Sequence, residues 1–171
     1  MGYRRLFIMR KDLHLSHGKL DAQLMHCAEA YWTNMIKKEG HITEGTVVFY
    51  EDMYEVYDIA DYVPNDNFTY KVPVYVVKDM VINKQLYDEY VNGTFTKTVC
   101  EARNKNHLLK AKTMAEEIGL VEGLGYGLIY DKCLTELTPE EEDGTTLTGI
   151  WFAPLPDETA HKISKKYQLY K

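Results

Sequence analysis

Cysteine is scarce. The three residues Cys27, Cys100 and Cys133 stand far apart and form no Cys-x-x-Cys pair, and an odd count without paired spacing excludes a disulfide framework and a zinc ribbon. They read as reduced, mostly buried thiols. Long apolar runs are missing as well. The stretch after Arg4 and Arg5 is too short for a signal h-region, and nothing later approaches the roughly 20 apolar residues of a membrane span. The expectation is a cytoplasmic protein without a membrane partner. Repeats and low-complexity tracts are absent. Gly123, Gly125 and Gly127 alternate without a preceding strand and following helix, which excludes a dinucleotide loop. His14 and His17 lack a third ligand at a useful spacing, so neither a metal nor a cofactor is expected.

A basic surplus is also lacking. The formal charge of −6 argues against a nucleic-acid partner, because phosphates must be neutralised by local Lys and Arg. Its distribution weakens that objection. Residues 39–92 hold 11 acidic and 3 basic side chains, leaving 15 acidic and 17 basic elsewhere of the 26 and 20 in the chain. The acidity belongs to one segment.

What is present fits one domain over residues 1–171, a length sufficient for a continuous core. Arg4 to Arg10 is apolar at Leu6, Phe7, Ile8 and Met9 and predicts a strand buried on both faces. After the polar connection 11–17, Leu20, Leu24, Cys27, Tyr31 and Met35 recur at three- and four-residue spacing. That pattern predicts an amphipathic helix to about Lys38, with Ser16 placed to cap it. A second strand and helix follow: Phe95 to Cys100, a turn at Asn104, then Leu108, Ala111, Ala115 and Ile118 on one face, ended by Gly119. Leu124–Tyr130 and Leu147–Phe152 read as further strands, and Asp157 as the N-cap of a last helix after Pro156. The run Glu140 to Asp143 reads as a solvated loop.

Alternating strands and helices imply an α/β fold: three layers, α/β/α, around a mixed and roughly four-stranded sheet. Residues 39–82 break the rhythm. Thr46–Tyr50 and Phe68–Lys78 look like strands, Pro73 demotes the second to an edge, and the segment reads as an inserted β-hairpin. A short helix over Asn83–Val91 returns the chain to the main sheet.

On the first helix Lys19, Gln23 and His26 are spaced by four and three, which stacks them on one stripe. The unpaired amides and positive dipole end of that helix would attract an anion where Lys19 sits. By itself such a stripe is usually only a solvated face.

The surrounding residues add to it. Phe7-Ile8-Met9-Arg10-Lys11-Asp12-Leu13, then Gly18-Lys19-Leu20-Asp21-Ala22-Gln23-Leu24-Met25-His26-Cys27-Ala28, resembles the opening of the type 2 peptidyl-tRNA hydrolase family: an apolar strand, Arg or Lys, any residue, Asp-Leu, then Gly-Lys-x-Ala-Ala-Gln-x-x-His-Ala. Asp21 and Cys27 stand where that pattern has Ala. Later segments follow the family order. Thr98–Ala102 resembles its second strand and His107–Leu120 its second long helix. Asp131, Thr135 and Glu136 resemble the Asp-Ala-Gly-x-Thr-Gln/Glu motif. Thr148–Pro156 resembles the final Thr-x-x-x-x-x-Pro-x-Pro strand, and Tyr167–Tyr170 the closing tail. The resemblance covers residues 3–38 and 84–171.

It implies metal-independent hydrolysis of the ester that joins a peptide to the terminal ribose of tRNA. Such a site needs a water activator, an oxyanion stabiliser and a grip on RNA. The catalytic roles fall to Asp131 for water, Lys19 for negative charge, and Thr135 and Thr148 for hydrogen bonds around the ester. Asp12, Gly18, Gln23 and His26 support or bind, with His26 expected to serve a core partner rather than to carry protons. Arg4, Arg5, Arg10, Lys11, Lys19, Lys105, Lys110 and Lys112 offer a basic track for an acceptor stem. By analogy with the family a homodimer is expected, and the acidic insertion suggests a protein partner.

Two departures matter. Lys132 and Cys133 replace Ala-Gly directly after Asp131, where a glycine would permit a tight turn. The 39–82 insertion has no counterpart in the family pattern. Both leave open a second reading, a non-enzymatic module that keeps the hydrolase fold to bind tRNA or a protein.

Overall fold

A run of large apolar residues with no polar break must be covered on both sides, and Leu6, Phe7, Ile8 and Met9 within β1 (Tyr3–Arg10) form such a run. The computed structural model, which describes residues 2–50, 53–58, 69–77 and 80–171, sets β1 at the middle of a mixed sheet. After α1 (His17–Glu39) come β2 (Gly40–Tyr50), β3 (Met53–Asp58) and β4 (Thr69–Val77). Next are α2 (Lys84–Leu86), continued by a π-helical stretch Tyr87–Thr94, then β5 (Lys97–Ala102) and α3 (Lys105–Glu117). The chain finishes with β6 (Tyr126–Asp131), β7 (Thr146–Phe152), β8 (Leu155–Pro156), α4 (Asp157–Ser164) and β9 (Gln168–Leu169).

The described residues divide into two units, 1–34 with 82–171, and 35–81. In the first the strand order is β6-β7-β1-β5-β9, with β8 paired to β1. β1 and β5 are parallel, whereas β1 with β7 and β7 with β6 are antiparallel. Alternate residues of β1 serve different neighbours, as strand geometry requires. Leu6 and Ile8 join the core with Leu108, Ala111 and Ala115 of α3 and Ala160 and Ile163 of α4. Met9 instead meets Cys27 of α1, sulfur to sulfur at 3.9 Å. Gln23, Cys27 and Tyr31 form the buried stripe of α1, the face its four-residue spacing marks out.

The four strands expected from sequence are present, together with the two-residue strands β8 and β9. Such short strands leave no periodicity to read. Gly119, with φ +83°, lies just past α3 in the left-handed region that glycine adopts at least cost. Asp157 is not an N-cap: Pro156 holds that position without a side-chain cap. The Asp157 carboxylate is drawn instead to Arg4, 2.6 Å away, and its amide donates to Gly2 O.

In the second unit three antiparallel strands form a sheet in the order β3-β2-β4. The sequence reading had two strands there. β2 begins at Gly40 rather than Thr46, and β3 is additional. Pro73 pairs opposite Glu44 on β4, an edge strand as its missing N–H demands. Of the expected strand Phe68–Lys78, Phe68 and Lys78 lie outside the described residues. Gly40 admits the ring of Tyr75, which leaves no room for a Cβ there.

Candidate active site

One carboxylate gathers two side chains from a helix distant in sequence and a backbone amide from the turn beside it. β6 ends at Asp131, and α1 lays Lys19 and Gln23, one turn apart, over that end. Lys19 Nζ lies 2.7 Å from Asp131 Oδ2. Gln23 Nε2 donates to the same oxygen at 2.8 Å. The other oxygen, Oδ1, accepts the backbone N–H of Cys133 at 2.8 Å. Burial alone would raise the pKa of Asp131, but hydrogen bonds from Lys19, the Cys133 amide and Gln23, with the Lys19 charge, outweigh it and hold the carboxyl below its ordinary value. Asp131 is therefore an anion at neutral pH.

Thr148 works from underneath. It is fully buried, and its hydroxyl donates to Gln23 Oε1 at 2.7 Å, with Ile129 O at 3.1 Å as a second acceptor. This bond turns the Gln23 amide so that its NH₂ faces Asp131. The strand is built to aim it: pairing of β6 with β7 slips between Ile129 and Tyr130, which stand opposite Gly149 and Leu147. Thr148 is the residue left over. A bulge of this kind redirects a side chain that regular alternation would send to the other face.

Lys19 also donates to Thr135 Oγ1 at 3.1 Å, so two of its three ammonium hydrogens are engaged. Ser16 caps α1, its hydroxyl accepting from the Lys19 amide at 3.3 Å. Its own N–H donates to Glu136 at 3.1 Å and its hydroxyl bonds the same carboxylate. Lys19, Gln23, Asp131, Thr135 and Thr148 thus form one connected network. Beside it opens a cavity of about 480 Å³ lined by Gln23, His26, Leu128, Ile129, Tyr130, Asp131 and Lys132.

The remaining expected residues sit apart from this network. His26 is exposed at the cavity rim and serves no core partner. Asp12 pairs with Arg10 at 2.7 Å. Gly18 is exposed in the first turn of α1, and a Cβ there would meet nothing within 4 Å.

The sequence reading missed the ties that hold the 132–145 loop. Arg10 is 3% exposed and donates to Asp12, to Leu147 O at 3.0 Å and to Glu140 at 2.9 Å. Lys105 pairs with Glu141. Glu140 and Glu141 are therefore docked rather than merely solvated, because a buried guanidinium must find acceptors. Thr146, fully buried, donates to Thr138 O at 2.8 Å and accepts the Glu140 amide at 3.0 Å. Most of the proposed basic track is engaged in the same way, Lys110 being the member that stays exposed without a salt bridge among the described residues. Arg5 is buried against the carbonyls of Cys27, Ala28 and Phe152, Arg4 pairs with Asp157, and Lys112 pairs with Glu122.

An antiparallel edge strand ending at Asp131, Lys19 and Gln23 of α1 set on its carboxylate, and an open cavity beside them define an α/β protein with a buried, charge-paired carboxylate as its candidate site. The family model "Peptidyl-tRNA hydrolase PTH2" matches residues 3–170, and the chain belongs to that family. A peptidyl-tRNA hydrolase of Thermoplasma acidophilum is 26% identical over 93 residues, 54% of this chain and 72% of that protein. Among the described residues no helix is long and apolar enough to cross a membrane.

Proposed function

We propose that this protein hydrolyses the ester of peptidyl-tRNA, releasing peptide and tRNA, with Asp131 as the group that holds the attacking water. What carries the reading is the convergence of Lys19, Gln23 and Cys133 N–H on one buried carboxylate beside an open cavity.

A carboxylate offers about four lone-pair sites. Oδ2 uses two on Lys19 and Gln23, and Oδ1 uses one on Cys133. The fourth accepts an O–H of water and aims its oxygen at the ester carbonyl. Because the pKa of Asp131 is depressed, it is a weak Brønsted base. Its part is orientation and stabilisation of the positive charge that develops on the attacking water, more than outright proton removal. The third N–H of Lys19 faces the oxyanion as the tetrahedral intermediate forms. At an effective dielectric of 20 the Lys19–Asp131 attraction is gross about 6 kcal/mol, and desolvation of two largely buried ions returns much of it. The pair therefore fixes geometry more than it stabilises the fold. Gln23 and, beneath it, Thr148 are positioning residues. Thr135 shares the Lys19 ammonium and sets its angle.

In this reading the main unit is a three-layer α/β/α domain, α1 on one side of the sheet and α3 with α4 on the other, and residues 39–82 are an insertion within a single cytoplasmic domain. A homodimer and a protein partner for the acidic segment belong to the same reading.

The test is release of peptide from N-blocked aminoacyl-tRNA by the purified protein and by Asp131→Asn. The expected loss is about 10²- to 10⁴-fold in kcat. Wild-type protein that binds tRNA but releases no peptide would overturn the assignment.

A further inference from the structure

The cavity beside Asp131 is short of free positive charge. Lys19, the obvious cation, is neutralised by Asp131 at 2.7 Å. Arg10 is enclosed by Asp12 and Glu140, and Lys105 is held by Glu141. A polyanion approaching this site meets neutral pairs, which attract it weakly. One lining residue differs. Lys132 is exposed, lines the cavity next to Asp131, and among the described residues has no acidic side chain in salt-bridge reach.

Building on the peptidyl-tRNA reading, we propose that Lys132 is the phosphate-binding cation of this cavity, holding the backbone phosphate of the RNA's 3′-terminal nucleotide while the ester lies against Asp131. The turn makes this possible. Asp131 points inward to the network, and the next residue carries its side chain out from the strand end into solvent. A lysine there works as a mobile point charge on a flexible stem, suited to a phosphate whose position varies with the attached peptide. The residue that breaks the family pattern, where Ala is expected, then adds a contact that Lys19 cannot supply while its charge is spent on Asp131.

The experiment is salt-dependent fluorescence anisotropy of uncharged tRNA with the wild-type protein, Lys132→Met and Lys132→Arg, paired with steady-state hydrolysis. Losing one phosphate contact to a single strand should lower the slope of log K against log salt by about 0.7. Lys132→Met is expected to bind roughly fivefold more weakly at low salt with that smaller slope, and to raise KM while kcat stays within about twofold. Lys132→Arg should restore both. Wild-type affinity and slope in Lys132→Met would overturn the proposal. So would a fall in kcat at constant KM, which would mean that Lys132 acts through the turn on Asp131. Failure of the wild type to hydrolyse would strike the activity reading alone, since the anisotropy arm measures the phosphate contact without any turnover.

Discussion

Asp131 carries opposing influences whose balance has a pH signature. Desolvation favours its neutral form, while Lys19, the Cys133 amide and Gln23 favour the anion and prevail. Its folded pKa lies below the unfolded value of about 3.9, so the stability it contributes is fully present above that value and is lost only as pH falls through the folded one. Between pH 5 and 8 neither the charge of Asp131 nor its share of stability should change. Lys19→Met removes the largest of the influences that favour the anion, its hydrogen bond, together with its charge, and leaves burial opposed only by the Cys133 amide and Gln23. The acid limb of kcat/KM is expected to move upward in that variant, with kcat down about 10²-fold. A pH–rate profile checks both, and an acid limb unmoved from wild type would deny Lys19 its part in holding the anion.

At the scale of the element, the turn after β6 combines a needed amide with an unfavourable conformation. Cys133 adopts φ +55° while its N–H holds Asp131 Oδ1. The left-handed region costs an L-residue about 1–2 kcal/mol, whereas a glycine there costs about 0.5–1 kcal/mol through the freer unfolded chain. The native-state relief is the larger. Cys133→Gly is expected to stabilise by about 0.5–1 kcal/mol, a rise of roughly 1–4 °C in Tm for a chain of this size, with the amide contact kept. Thermal denaturation measures it, and a lower Tm would show that the Sγ contact with Thr146 at 3.4 Å outweighs the backbone relief. The β-bulge at Thr148 belongs to this scale too, since it is the strand's irregularity that sends the hydroxyl to Gln23.

For the molecule as a whole, the core cluster among the described residues runs from Leu6 to Tyr167 and lies in the first unit. Replacing residues 40–81 by a short Gly/Ser linker should therefore leave a cooperatively melting protein. In the hydrolysis reading it keeps Lys19, Gln23, Asp131, Thr135 and Thr148 intact. Circular dichroism and peptide release test this together. Loss of cooperative melting would mean that the segment supports the fold. The excision also removes most of the acidic excess of residues 39–92, so the shortened chain should bind tRNA more tightly at low salt.

The sequence by itself marked the longer elements of the main unit and the candidate site residues. Apolar runs and three- and four-residue spacings mark β1, α1 and α3 because burial selects side chains locally, and the motif around Asp131 marks the carboxylate. Three things were decided only in the folded chain. Most of the basic residues that looked like an RNA track are engaged by partners far away in sequence, Arg10 by Glu140 and Arg5 by the carbonyls of α1, and no local pattern reveals which charges end up neutralised. Thr148 lies beneath Gln23 rather than in the cavity because of a register slip between two strands. Lys132, which read only as a departure, stands as an uncompensated charge at the cavity. Composition counts charges, but which of them remain available to a ligand depends on distances that only tertiary packing sets.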